Sequence, residues 1–141
     1  RTTYPRGAIA LTVRIADNQH LRFISTHFQH NVAEDRVAEA KAINRLFAGD
    51  EDSMPTILAG DMNAKPKAEP VKTLLSKWRC AIEDVPVASS PAPAPRSRID
   101  YIFFRKASRF RLLSTKVIAE SLASDHRPVF AELELLNPQN P

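Results

Sequence analysis

One stretch constrains this chain more than any other: Thr56-Ile57-Leu58-Ala59-Gly60-Asp61-Met62-Asn63-Ala64-Lys65-Pro66. An apolar run ends in Gly-Asp-x-Asn and is then broken by Pro66. A short apolar run bounded by turn residues reads as a buried strand. It delivers a carboxylate and a carboxamide, two residues apart, to the C-terminal edge of a sheet, where an α/β protein usually keeps its chemistry. The same residues also suit an Asx-turn that does no more than close a strand. The rest of the chain decides between the two.

The flanking patterns place this strand in a sheet. Residues 7–15 alternate, with Ile9, Leu11, Val13 and Ile15 on one face. Asp17 to His20 reads as a turn, and Leu21 to Phe28 as a second strand, giving a hairpin. Residues 34–48 predict a helix whose stripe is Ala33, Val37, Ala40, Ile43 and Phe47, with Asn31 or Asp35 as cap and Gly49 as terminator. Arg36 falls inside that apolar arc and reads as structural. Glu69-Pro70 opens a second helix, with Val71, Leu74, Leu75 and Trp78 as its core stripe. Residues 85–97 carry Pro86, Pro91, Pro93 and Pro95 and form an extended loop. Strands are expected over 97–104, 111–119 and 127–135, ahead of a frayed tail. The order β-β-α-β-α-β-β-β predicts an α/β (α+β) fold, a mixed and mostly antiparallel sheet with helices on one face. The other face is still apolar and needs a cover.

Composition narrows the classes. The 141 residues make one domain's worth of chain, and 43% hydrophobic with 26% charged residues is ordinary for a globular protein. No apolar run approaches the roughly 18 residues of a membrane span. The lone Cys80 excludes an intramolecular disulfide and a cysteine-cluster metal site, and the four scattered histidines argue against a histidine-only zinc site. The chain starts at Arg1 without Met, consistent with an excised or processed piece that could have lost a leader, so localisation stays open. Net charge is +4, and Arg96, Arg98, Arg105, Lys106, Arg109, Arg111 and Lys116 face one acid, Asp100, in their stretch. These read first as charges on solvent-facing strands and second as a substrate-facing patch.

Four clusters can carry chemistry: Ser25-Thr26-His27-Phe28, Gly60-Asp61-Met62-Asn63, Arg98-Ile99-Asp100-Tyr101-Ile102-Phe103, and Ser124-Asp125-His126-Arg127-Pro128. The first has a plainer reading as a core or edge histidine, and the second and fourth as polar turns. Asp100 interrupts an apolar strand, and a buried charge needs a partner. Hard oxygen ligands with few nitrogen donors suit Mg²⁺ or Mn²⁺. A carboxylate that fixes the tautomer of a histidine prepares a general base. With a metal to polarise a phosphoryl oxygen, the set amounts to a phosphoester hydrolase site.

In this order the four clusters resemble the endonuclease/exonuclease/phosphatase superfamily, the DNase I-like phosphoesterases. Its Thr-His-x, Gly-Asp-x-Asn-Ala-x-Pro, Arg-Ile-Asp-Tyr-Ile-Phe and Ser-Asp-His-x-Pro-Val motifs match Ser25 to Phe28, Gly60 to Pro66, Arg98 to Phe103 and Ser124 to Val129. The resemblance spans Gly7 to Leu135 and leaves residues 136–141 as a tail.

What the resemblance implies is a metal-dependent phosphoesterase. His27 would contact the scissile phosphate or leaving group, and Asp61 and Asn63 would orient the attacking water. His126 would be the catalytic histidine and Asp100 its carboxylate. Asp125, Asp61 and Asn63 would hold Mg²⁺ or Mn²⁺, and Arg98 and Tyr101 would be structural or would support the site residues from behind. The general base is Asp61 or His126. The family's earlier Asn and metal-binding Glu have no counterpart here. The resemblance therefore implies the C-terminal portion of a domain over residues 1–141, half of a four-layer β-sandwich. Its expected partners are a phosphate-ester substrate, with nucleic acid as one candidate, and either the missing N-terminal half or a second copy on the bare sheet face. The competing expectation is a non-catalytic half-domain or pseudoenzyme fragment that serves as a binding module.

Overall fold

In the computed structural model, residues 3–16, 19–82 and 88–137 are described. Strands β1 (Ala8–Ala16) and β2 (Gln19–His27) pair antiparallel, Leu11 opposite Phe23 and Val13 opposite Leu21. The predicted hairpin turn falls partly outside the described residues. Its second half, Gln19 and His20, already belongs to β2.

Helix α1 (Ala33–Phe47) then crosses back, so β3 (Thr56–Asp61) lies parallel to β2. Its first-turn acids Glu34 and Asp35 suit the positive end of the helix dipole. Neither expected capping residue caps it. Val32 occupies the N-cap and no side-chain cap bond is made. The loop before it is instead held by Arg36, whose Nη1 donates to the carbonyls of Gln29 and His30 at 3.0 and 2.9 Å. That is the structural role read for Arg36.

Helix α2 (Glu69–Leu75) has Pro70 in its first turn, where a missing N–H costs nothing. The two-residue strand β4 (Arg79–Cys80) follows, which the pattern did not foreshadow, and then β5 (Asp100–Arg105), antiparallel to β3. The sheet order is β1-β2-β3-β5-β4, with one parallel pair among antiparallel ones. The last two strands, β6 (Phe110–Val117) and β7 (Val129–Leu135), do not extend it. A 3-10 turn at Ala107–Arg109 lifts them away, and they form a separate two-stranded sheet. The expected strand 97–104 begins only at Asp100, and the last begins at Val129, after Pro128.

The helices cover one face of the five-stranded sheet. Ile24, Leu58 and Phe103 lie side by side in register and are fully buried, with Ala40, Ile43, Val71, Leu74 and Trp78 in the same core. Trp78 Nε1 donates to Asn44 Oδ1 at 2.8 Å, so it is a core residue tying α2's end to α1. On the opposite face, Val129, Ala131, Leu133 and Leu135 of β7 pack against the core. Phe110 meets Phe104 edge to face, with centroids 5.5 Å apart. This cover stops short of the hairpin. Ile9 is 70% exposed and Leu11 59%, with Val13, Ile15 and Phe23 also open to solvent. The fold is thus a mixed α/β arrangement, mostly antiparallel, with helices on one face, consistent with part of a DNase I-like sandwich.

Candidate active site

Register builds the site. His27 pairs with Asp61 across β2 and β3, and Asp61 with Asp100 across β3 and β5. Directly opposed residues project to the same side of a sheet, so the three side chains stand in one row. The alternation puts that row on the face away from the helices, at the end of the strands. His27 Nε2 lies 3.4 Å from Asp61 Oδ2, and the His27 side chain is 55% exposed against 14% for Asp61.

The close approach of β2 and β3 here requires Gly60. Its φ is +155°, and a Cβ would lie 1.9 Å from the Thr26 carbonyl oxygen. After the strand, Asn63 turns the chain at φ 46°, a left-handed conformation that asparagine tolerates. Its N–H donates to Asp61 Oδ1 at 2.7 Å, and its Nδ2 donates to the Phe28 carbonyl at 2.9 Å. The Asx-turn reading of the opening stretch is therefore locally correct. The turn also locks Asp61 in place and bolts β2's exit to β3's.

The fourth cluster arrives from above. His126 Nδ1 lies 3.0 and 3.2 Å from the two Asp100 oxygens and 4.0 Å from Asp61 Oδ2. An imidazole so placed donates Nδ1–H to the carboxylate and keeps Nε2 free. Burial pulls the His126 imidazole down, but the Asp100 hydrogen bond and the charges of Asp100, Asp61 and Asp125 outweigh it and hold it above its ordinary value. Asp61 is pushed up, chiefly by burial and further by Asp100, against the Asn63 N–H and the two histidines.

Ligand atoms of Asp61, Asp100 and His126 all lie within 4.8 Å of one another, a cluster that could coordinate a divalent metal. Among the described residues no Lys or Arg neutralises Asp61, whose ion-pair partners are His27 and His126. Two carboxylates that meet two histidines and, at Asp100, one neutral hydroxyl suit a hard cation. Asp125 stands outside this cluster, with Oδ1 accepting from Ser124 Oγ at 3.3 Å.

The sequence matches the model of the Endonuclease/Exonuclease/phosphatase family over residues 3–126. The chain belongs to this family. No curated protein matches it closely enough to count as a relative. Among solved structures it is similar to a functionally unknown conserved protein from Enterococcus faecalis V583, with TM-score 0.77 and 22% identity, covering 91% of this chain and 56% of that one. It also resembles the mannosyl-6-phosphatase Bt3783 of Bacteroides thetaiotaomicron, at TM-score 0.69 and 20% identity, over 95% and 67% of the two chains. D. rerio TDP2 complexed with single strand DNA product gives 0.72 and 19%, over 92% and 62%. The chain thus spans about half to two thirds of these structures' length.

Two further motif residues, Tyr101 and Arg98, bond to backbone carbonyls of the fold. Tyr101 Oη donates to the Ala64 and Arg98 carbonyls at 2.8 and 3.1 Å, and its buried hydroxyl is pushed up in pKa. Arg98 donates to the Ile82 carbonyl and stacks on Tyr101. The basic stretch disperses as well. Arg105 donates to the Phe47 and Gly49 carbonyls, Arg109 to that of Leu136, Arg111 pairs with Glu134, and Lys116 lies over Phe130. Arg111 and Lys116 are thus charges on solvent-facing strands, as expected, whereas Arg105 is buried and ties the sheet to the end of α1.

Ser89 escaped the sequence reading. It is fully buried and donates to Asp100 Oδ2 at 2.5 Å, so Asp100 is held from two sides. The same proline-rich loop latches the His126 segment: Ala92 N–H donates to the Asp125 carbonyl at 2.6 Å and Arg127 N–H to that of Ser89 at 2.7 Å. Nothing in an Ala/Ser/Pro tract marks one serine over its neighbours. The unmet polar requirement of Asp100 was the only available signal.

Proposed function

We propose that this chain is the C-terminal portion of an endonuclease/exonuclease/phosphatase domain, residues 1–141 with its motifs between 7 and 135. In the complete protein it hydrolyses a phosphodiester, or a phosphomonoester, by in-line attack of water. The observation that carries this reading is the row His27, Asp61, Asp100 on one sheet face, with His126 seated on Asp100. An isolated scaffold has no physical reason to gather two carboxylates and two histidines at one open strand end.

In this reading His27, the most exposed of the row, meets the scissile phosphate or leaving group. Asp61 and Asn63 orient the attacking water. Asp100 fixes Nδ1 of His126 and leaves Nε2 to face the phosphoryl oxygens. The water's proton passes to Asp61 or to His126, both of which have raised affinity for it. Mg²⁺ or Mn²⁺ would be held by Asp61, with Asn63 and Asp125 as the further ligands the family resemblance implies although Asp125 stands outside the Asp61, Asp100 and His126 cluster, and would supply polarisation of a phosphoryl oxygen. The test is hydrolysis by the full-length protein with and without divalent metal. Metal-dependent turnover abolished in His126→Ala is expected, and undiminished turnover in that variant refutes the assignment.

The bare face of β1 and β2 supports the half-domain part of this reading, as does the coverage of longer solved structures. An upstream half of the same domain, or a second copy, would cover Ile9, Leu11, Val13 and Phe23. The isolated chain should then bind a hydrophobic dye or dimerise. A monodisperse, cooperatively folding monomer without dye binding overturns it. The same bare face also favours a second reading, a non-catalytic module that docks a partner there. Calorimetric metal titration of the full-length protein separates the two, since only the enzyme requires the cation.

A further inference from the structure

A cleft of about 400 Å³ lies where the C-terminal ends of α1 and α2 meet the end of β5. It is remote from the candidate active site. The rise along β5 from Asp100 to Arg105, about 3.4 Å per residue, puts it about 17 Å from the His27–Asp61–Asp100 row. Its depth is apolar, lined by Leu75, Trp78 and Phe104, the last two only 3% and 4% exposed. Four cations line it as well, Lys77, Arg79, Arg105 and Lys106, against one carboxylate, Asp50. Two of the four are already neutralised: Lys77 Nζ lies 2.8 Å from Asp50 Oδ1, and Arg105 Nη1 3.3 Å from Asp52 Oδ2. Arg79 and Lys106 make no side-chain hydrogen bond or ion pair among the described residues. The Asp50 carboxyl is held below its ordinary value by the Lys77 hydrogen bond and charge, and beyond them by Lys106 and Arg105, so the potential over the cleft is positive. Lys106 also stands at φ 62°, a left-handed conformation that a residue with a Cβ resists. Glycine or asparagine would make that turn more easily, and an outlier of this kind points to a role for the side chain.

We propose that this cleft is a second, non-catalytic binding site for a small aromatic carboxylate, its ring against Trp78 and Phe104 and its carboxylate between Arg79 and Lys106. The volume is that of a small-molecule site, and an apolar wall with a few convergent polar groups is the usual make-up of one. A carboxylate matches the planar fork of the Arg79 guanidinium, and the Lys106 ammonium adds a point charge. A neutral apolar ligand would strip water from two cations and give nothing back. An inorganic ion would leave Trp78 and Phe104 unused, and a cation would be repelled. Because the cleft and the His27–Asp61–Asp100 row lie at opposite ends of β5, the site stands independently of the phosphoesterase reading.

The experiment is isothermal titration calorimetry of the full-length protein with 2-naphthoate. Binding with a Kd below about 1 mM is expected. Acetate, which lacks the ring, and 2-naphthylmethanol, which lacks the charge, should each bind at least about tenfold more weakly. The double variant Arg79→Gln, Lys106→Asn removes both free cations and leaves at position 106 a residue that tolerates the left-handed turn. It should weaken 2-naphthoate about tenfold. Asp50→Asn frees Lys77 and should tighten binding about threefold, a gain that damage to the fold does not produce. Adventitious binding to the bare face of Ile9 and Leu11 would leave wild type and both variants alike, and that result overturns the proposal. Equal affinity for 2-naphthoate and 2-naphthylmethanol overturns it too, as does no binding of 2-naphthoate at about 1 mM.

Discussion

Adding a single methyl group at Gly60 should cost the protein a large part of its stability and most of its activity. A Cβ there would meet the Thr26 carbonyl oxygen at 1.9 Å, against 3.4 Å or more for an ordinary contact, so β2 and β3 would have to separate by about 1.5 Å. The Cβ is fixed by the Gly60 backbone and the oxygen belongs to the Thr26 backbone of the paired strand, so no rotamer change can relieve the clash. Ladder bonds near 2.9 Å cannot survive such a displacement. Losing two of them at about 1 kcal/mol each, with about 1–3 kcal/mol of strain at φ +155°, gives a loss on the order of 4 kcal/mol. The neighbouring pair is His27 and Asp61, whose 3.4 Å contact depends on the same register, so kcat should fall even where the variant stays folded. Urea unfolding of the full-length protein, followed by far-UV circular dichroism, measures the first effect and diester hydrolysis the second. Gly49→Ala is the control, because nothing lies within 4 Å of the Cβ it adds. A Gly60→Ala protein within about 1 kcal/mol of wild type would refute the reasoning.

Ser89→Ala removes a fully buried hydrogen bond to a carboxylate, a class of bond that contributes about 1.5–3 kcal/mol. Stability should fall by about 2 kcal/mol and kcat by about tenfold, with partial recovery in Ser89→Thr; an unchanged kcat sinks the positioning role. His126 should titrate above 6.5 by NMR, and Asp100→Asn should lower its midpoint, since burial alone pulls it down. The sign follows from linkage. A histidine whose folded-state pKa is raised contributes stability that is fully present below its unfolded value and lost as pH rises through the folded one. A midpoint unmoved by Asp100→Asn would remove Asp100 as the cause.

Elements whose residues must repeat were legible in the sequence. The alternation of Ile9 to Ile15 and the helical stripe through Ala40 and Ile43 reappear as β1 and α1. The row His27, Asp61, Asp100 was legible one residue at a time, because each ends or interrupts an apolar strand. Its assembly was not, since register depends on partners far along the chain. Three features left no periodic trace. β4 is two residues long and takes its identity from pairing with Phe103 and Phe104. The departure of β6 and β7 into their own sheet is decided at Lys106, a non-glycine residue at φ 62°, where a Lys signals nothing in sequence. Ser89 acts from an irregular loop.

These same features explain why the site depends on packing between layers. His27, Asp61 and Asp100 belong to one rigid sheet, but His126 comes from the connection between β6 and β7 and is joined to the sheet at Asp100. What sets its height is the proline-rich loop, bonded to Asp100 through Ser89 and to the Asp125–Arg127 segment through Ala92 and the Ser89 carbonyl. Apolar contact between the two sheets is supplied by β7 and Phe110 on one side only, while the hairpin side stays uncovered. An exposed apolar face of this kind favours a cover by the ordinary hydrophobic term, about 25 cal/mol per Å² removed from water. A cover on Ile9, Leu11 and Phe23 that also bore on β6 and β7 would press the second sheet against the first. It would therefore bear on the His126–Asp61 distance, now 4.0 Å, although it touches neither residue. Covering that face and tightening the site would then be one packing event.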